Sequence, residues 1–147
     1  MGKFEKYEKK IWSDEKFDKI DKIVARDLDI RPDNALEKSL EMTKLIVKYR
    51  REYFKQKQLL NNINSDIKAT KMKRFHYYKH DYDYALDNNT SRLIHVDGDD
   101  EMRDLCLLGD RQTDIVEYLK NTISDITNTS YRIQNFIALE KLRNGVM

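Results

Sequence analysis

Between Pro32 and Gly98 the chain contains neither glycine nor proline, and all 147 residues together hold only four glycines and one proline. A helix that starts near residue 34 therefore meets no backbone breaker for many turns. The start itself is marked, because "PDNALE" supplies Asp33 or Asn34 as N-cap and Glu37 three residues after Asn34, the spacing of a capping box. Beyond it Ile46, Tyr49, Tyr53, Gln56, Leu60, Ile63 and Ile67 step alternately by three and four residues, which predicts a helix with a coiled-coil-like seam. Continued to about residue 78, it would be roughly 65 Å long, at ~1.5 Å per residue. "NNINSD" at 61–66 is the poor helix-forming stretch where it could bend.

The flanking segments complete an all-α expectation. Phe4, Tyr7, Ile11, Phe17, Ile20 and Ile23 predict short N-terminal helices within residues 1–31, broken near Trp12 and capped by Ser13 or Asp14. A long basic helical region would span 32–80. Residues 81–100 lose the helical period: "DNNT" and "DG" are turn chemistry, and "RLIHV" between them has strand composition, so a loop or short β-hairpin is expected there. From Glu101 a second long helix is expected, with Met102, Leu105 and Leu108 up to Gly109. Val116, Leu119, Ile123, Ile126, Ser130, Ile133 and Ile137 then keep a 4/3 spacing until the stop at Gly145. With apolar residues at 39% and charged ones at 37%, part of the apolar surface is expected to be covered by other copies of the chain. Residues 101–147 are thus the candidate oligomerisation helix, and Val116, Leu119, Ile123, Ile126, Ile133 and Ile137 its seam.

Net charge is only +2, but it is segregated. Residues 1–41 sum to −1, residues 42–80 to +9, and residues 81–147 to −6. In the middle segment Lys44, Lys48, Arg51 and Lys55 form a basic stripe opposite the apolar face. The densest chemistry is in "KMKRFHYYKHDYDY", residues 71–84. Lys68, Lys71, Lys73, Arg74 and Lys79 lie between Asp66 and Asp81 with no acid among them, interleaved with Phe75, His76, Tyr77, Tyr78 and His80. Cations neutralise phosphates and ring faces take unstacked bases, so this mixture suits single-stranded nucleic acid. The competing account is that Tyr77 and Tyr78 pack the helix end while the lysines are simply solvated. The tyrosines of "DYDY" are expected to be packing or loop residues.

Other chemistries are weakly supported. Cys106, the only cysteine, lies in "LCLL" and reads as a small buried hydrophobe; a single cysteine allows no internal disulfide. His76 and His80, four apart and followed by Asp81 and Asp83, lack a completing ligand, so no metal is expected. "DGDDE" at 97–101 is no EF-hand loop, since the position needing a carboxylate is Leu108; these acids suit a helix N-terminus. No phosphate loop, nucleophile triad or paired carboxylates point to an enzyme, and no cofactor is expected. Gly2 is not followed by the Ser or Thr that myristoylation needs at position 6. No membrane span or signal peptide is legible, and a cytoplasmic location is expected.

Read in order, the heptad-like "LEMTKLIVKYRREYFKQKQLLNNI", the basic aromatic "KMKRFHYY", a turn-rich acidic stretch and the final "SYRIQNFIALEKLRNG" resemble the UvsY family of T-even-like phage recombination mediators. The resemblance covers about residues 36–145. It rests on a basic residue three positions before a Tyr-Tyr pair, and on an aromatic-x-Ile pair followed by a Gly-terminated tail. It implies a non-catalytic, ring-like homo-oligomer of six or more subunits that binds single-stranded DNA in the cytoplasm of the phage's host. Such a protein helps a RecA-like recombinase displace the phage single-strand-binding protein. It further implies that a Lys and an Arg before the tyrosine pair contact DNA. Arg74 matches the Arg, but Met72 stands at the Lys position, flanked by Lys71 and Lys73, and Gln134 stands where relatives have Lys. The resemblance also makes the helix from Val116 to Ile137 the assembly element. The alternative from a different class is an oligomeric coiled-coil adaptor or phage structural protein whose basic stripe meets an acidic partner protein.

Overall fold

The computed structural model describes residues 4–82 and 84–145, and among them all regular structure is helical. Gly2 and Asp83 lie outside the described residues. Two short helices, α1 (Glu5–Glu8) and α2 (Asp14–Asp27), precede the 42-residue α3 (Ala35–His76). A single π-helical turn, Tyr77–Asp81, continues α3; α4 (Asn89–Asp97) and the 44-residue α5 (Asp100–Arg143) follow. α3 passes through 61–66 and α5 through Gly109 without interruption. In α3 this is possible because Ile63, inside the weak stretch, is fully buried, and tertiary burial outweighs a few tenths of a kcal/mol of poor propensity per residue.

The chain forms two units, each assembled from stretches far apart in sequence. One takes in Met1–Ile11 and Gln56–Ile115, the other Trp12–Lys55 and Val116–Met147. Both long helices thus contribute one segment to each unit.

In the unit of Trp12–Lys55 and Val116–Met147, Ser13 caps α2 by accepting from the Lys16 N–H at 3.2 Å. Phe17 packs its ring on Tyr118 at 4.7 Å, and the Tyr118 hydroxyl donates to Asp21 Oδ1 at 2.8 Å. Asp27 Oδ2 accepts from the Tyr49 hydroxyl at 2.8 Å and from Lys48 Nζ at 3.1 Å. Burial, reinforced by these carboxylates, pushes both phenols far above their ordinary pKa. Lys38 Nζ donates to the carbonyls of Arg26 and Asp27 at the end of α2, where a cation favourably meets the helix dipole. The expected capping box at α3 does not form: the Asn34 side chain faces backwards, accepting from the Arg31 N–H at 2.7 Å and donating to the Asp29 carbonyl at 3.2 Å. Val116, Leu119, Ile126 and Ile133 of the C-terminal seam are buried within the chain, as are Val24, Met42, Leu45 and Tyr49 of the same unit, while Ile123 and Ile137 are half-buried. Thr122 shares that buried face because its hydroxyl donates to the Tyr118 carbonyl one turn back, at 2.9 Å.

In the unit of Met1–Ile11 and Gln56–Ile115, α3 and α5 meet at a glycine. A Cβ on Gly109 would lie 3.2 Å from Ile67 Cδ1 and 3.5 Å from Ile63 Cγ2, so even a methyl group would push the Ile67 side chain back by a few tenths of an ångström, and a large side chain has no room. One turn on, buried Gln112 donates through Nε2 to both the carbonyl and the side-chain oxygen of Gln56, at 2.9 Å each. From α1 the Tyr7 hydroxyl donates to the Asp66 carboxylate; burial and then this bond push the Tyr7 phenol up to about 12. The same bond holds the Asp66 carboxyl below its usual range.

The expected β-hairpin at 81–100 is corrected: "RLIHV" lies in α4. Asn88 caps that helix by accepting from the Ser91 N–H at 2.8 Å, so the "DNNT" turn chemistry is a helix start rather than a hairpin turn. A five-residue strand segment with no partner would leave its backbone groups unpaired, whereas the helix satisfies them internally and buries Val96 completely.

Two substitutions test this packing. Tyr49→Phe removes a buried hydrogen bond to a carboxylate and should lower unfolding free energy by about 1.5–3 kcal/mol. Gly109→Leu should cost about 1–3 kcal/mol or more by overpacking. Urea unfolding followed by far-ultraviolet circular dichroism measures both, and a midpoint unchanged by either substitution would contradict the corresponding contact.

Candidate nucleic-acid interface

The basic-aromatic stretch occupies the last turns of α3 and the π-helical turn after it. Lys68, Lys71, Lys73, His76 and Lys79 are exposed there, whereas Arg74, Tyr77 and Tyr78 are half-buried. None of the four lysines has an ion-pair partner among the described residues. The His76 and His80 rings stack 5.9 Å apart at an interplanar angle of 14°. The π-helical turn is the kind of single-turn widening often found at functional sites.

Arg74, the sequence's best match to a phosphate contact, has a partner inside the protein. Its Nη2 and Nε donate to Asp99 Oδ2 at 2.8 and 3.0 Å, and the Tyr78 hydroxyl donates to the same oxygen at 2.8 Å. The other oxygen, Oδ1, accepts from the N–H groups of Glu101 and Met102 at 3.1 and 3.3 Å, so Asp99 is also the N-cap of α5. The guanidinium lies over Tyr77, 4.3 Å from the ring centroid, in a cation–π contact. Asp99 is 7% exposed and the Arg74 side chain 22%. Removing one partner would leave the nearly buried Asp99 carboxylate without its counter-charge, so the pair is worth more than an exposed surface ion pair of ~0.2–1 kcal/mol.

Burial alone would raise the Asp99 carboxyl, but hydrogen bonds from Tyr78, Arg74 and the Met102 N–H outweigh it and hold Asp99 below the usual carboxylate range. Burial opposes the charge on Arg74, and the bond to Asp99 overcomes that and raises its pKa. Tyr78 is raised by burial and then by Asp99. Beside the pair is a depression of about 330 Å³ lined by Arg74, Tyr78, Gly98, Asp99, Asp100 and Glu101. Three carboxylates against one guanidinium make its mouth unfavourable for phosphate.

The rings form a connected cluster. Tyr77 and Tyr78 lie 5.0 Å apart, Tyr78 and Tyr82 5.0 Å, and Tyr82 touches both His95 of α4 at 5.5 Å and Tyr84 at 5.7 Å. Tyr82 packs in this cluster and Tyr84 is exposed at its edge. His95 and Asp99 are the two residues of this region that sequence reasoning missed, one because "RLIHV" suggested a strand and the other because its acid was assigned only to the helix dipole. Among the described residues no group of three or more His, Cys, Asp or Glu is placed to hold a metal ion, and no helix is long and apolar enough to cross a membrane. Cys106 is half-buried in α5.

Comparison with known proteins gives a consistent result. No curated protein matches the sequence. Among solved structures, the crystal structure of the bacteriophage T4 recombination mediator protein UvsY superposes with a TM-score of 0.77 at 11% identity, covering 86% of this chain and 97% of that one. At that identity the likeness speaks for the fold, an all-helical one. The family described as "Recombination, repair and ssDNA binding protein UvsY" matches residues 23–146, which takes in α3, the π-helical turn, α4, α5 and the Asp99 clamp. By that match over most of its length, the chain belongs to the UvsY family.

Proposed function

We propose that the chain is a phage recombination mediator that binds single-stranded DNA through Lys68, Lys71, Lys73 and Lys79, with His76 and the half-buried Tyr77 beside them. The observation that carries this is four exposed lysines at the end of α3, without ion-pair partners among the described residues and next to a ring cluster, in a member of a family described as binding single-stranded DNA. Arg74 and Tyr78 take a supporting part, holding the end of α3 through Asp99 so that the lysines are presented on a fixed frame. The role is stoichiometric rather than catalytic: the bound strand is held for a RecA-like recombinase to nucleate on, and the phage single-strand-binding protein is displaced in the host cytoplasm.

The protein acts as a homo-oligomer in this proposal, a ring of six or more. Weak contacts on a shared frame gain avidity through effective concentration. Because Val116, Leu119, Ile126 and Ile133 are filled from within the chain, the assembly surface is assigned to half-buried Ile123 and Ile137 together with exposed Leu139 and Leu142. The latter part of α5 borders a groove of about 500 Å³, where Leu36, Phe136, Ile137 and Leu139 present apolar surface.

Binding to labelled oligo-dT by fluorescence anisotropy across a salt series tests the interface. Lys71→Gln with Lys73→Gln should make the slope of log K against log salt shallower by about 1.4, at ~0.7 per phosphate. Arg74→Gln should leave that slope unchanged and lower the unfolding midpoint instead. Absence of binding by the native chain at low salt would refute the proposal.

Acid should weaken the Asp99 clamp in a defined direction. A carboxyl held below its unfolded value of about 3.9 contributes fully above that pH and is lost as pH falls through the lower folded value. The native chain's stability should therefore fall more steeply below about pH 4 than that of Asp99→Asn, whose amide still caps α5. Parallel pH slopes in urea unfolding would contradict the clamp. For assembly, Leu139→Asp with Leu142→Asp should reduce the mass measured by light scattering while leaving helix content intact; an unchanged mass would place the subunit contacts elsewhere.

A further inference from the structure

The exposed face of α3 in the unit of Trp12–Lys55 and Val116–Met147 repeats the chemistry of the lysine patch. Lys44, Arg50, Arg51 and Lys55 are exposed, and none has an ion-pair partner among the described residues. Lys48 of the same stripe differs, since Asp27 neutralises it at 3.1 Å. Glu52 is the only acid between residues 42 and 65. Among these cations lies Phe54, three residues after Arg51 and next to Lys55, with 66% of its surface exposed. Its one ring contact among the described residues is an edge-on approach to Tyr53 at 5.5 Å.

We propose that Lys44, Arg51, Phe54 and Lys55 form a second single-strand contact, in which Phe54 stacks on an unpaired base while the cations hold the flanking phosphates. The proposal rests on the single-strand reading above and extends it to a different part of the chain. Helical spacing puts Arg51, Phe54 and Lys55 on adjacent positions of one face, with Lys44 two turns earlier. Phe54 ends an exposed apolar line that runs back through Val47 and Leu40 at seven-residue steps, and Lys44, Arg51 and Lys55 flank it; of the rings and chains in that line only Phe54 can stack on a base, and a duplex offers it no unstacked one. The same face of a second copy would meet it with like charges. A single strand alone supplies both phosphates and open base faces.

The test uses the full-length protein and oligo-dT long enough to fill both patches. Phe54→Ala should weaken binding about 5- to 150-fold, the worth of one stacked base, without changing the salt slope. The same substitution should have no effect on an abasic strand of equal length. Arg51→Gln with Lys55→Gln should make the slope shallower by about 1.4. If these variants bind with native affinity and slope while Lys71→Gln/Lys73→Gln is impaired, the second contact is wrong and the first stands. If the native chain does not bind oligo-dT at all, the functional reading itself fails, and this inference with it. A fall in oligomer mass for Phe54→Ala would make the face a contact between copies, and native-like binding of poly-glutamate in place of DNA would make it a protein-docking face; either result overturns the proposal.

Discussion

One carboxylate organises the end of the basic helix. Asp99 caps α5 with one oxygen and holds Arg74 and Tyr78 with the other, so the start of one long helix and the end of another share a single side chain. Enclosure strengthens each of these charge-assisted bonds and makes losing any of them costly. The neighbouring rings of Tyr77, Tyr78, Tyr82 and His95 then gather around this point rather than standing free. What is left for solvent is a set of lysines on a frame that does not depend on them.

That arrangement divides a stretch rich in charge between packing and solvent. Arg74 and Lys73 are adjacent in sequence and alike in charge, yet one is drawn inward to a planar, multi-bonded partner and the other is exposed. The guanidinium suits the inward role, because it offers several donors in a fixed plane and stacks on Tyr77, where a lysine would offer a hydrated point charge. Asp27 does similar work in the other unit, taking Lys48 and Tyr49 together and leaving Arg51 and Lys55 outward.

The long apolar seam of α5 carries a related lesson. A 4/3 spacing of isoleucines is read equally well as a contact between copies or within one, since both bury the same stripe. Here Val116, Leu119, Ile126 and Ile133 are satisfied internally, with Thr122 and Thr129 also on the buried side. The apolar surface that α5 leaves exposed is a smaller set, Leu107, Tyr131, Leu139 and Leu142.

The sequence alone determined that the chain is built mainly of helices, that α3 and α5 are long, that the basic and aromatic residues sit at the end of α3, and which family it resembles. These follow from local properties: scarce breakers, a period near 3.5 and the order of short motifs. It did not determine that "RLIHV" would be helical, which Asn88 and the burial of Val96 decided. Nor could it separate Arg74 from the lysines beside it. Asp99 lies 25 residues further on, and only folding brings its carboxylate to 2.8 Å from the guanidinium. Charge and periodicity are written along the chain, but which charge is consumed by a partner is a property of distance in three dimensions.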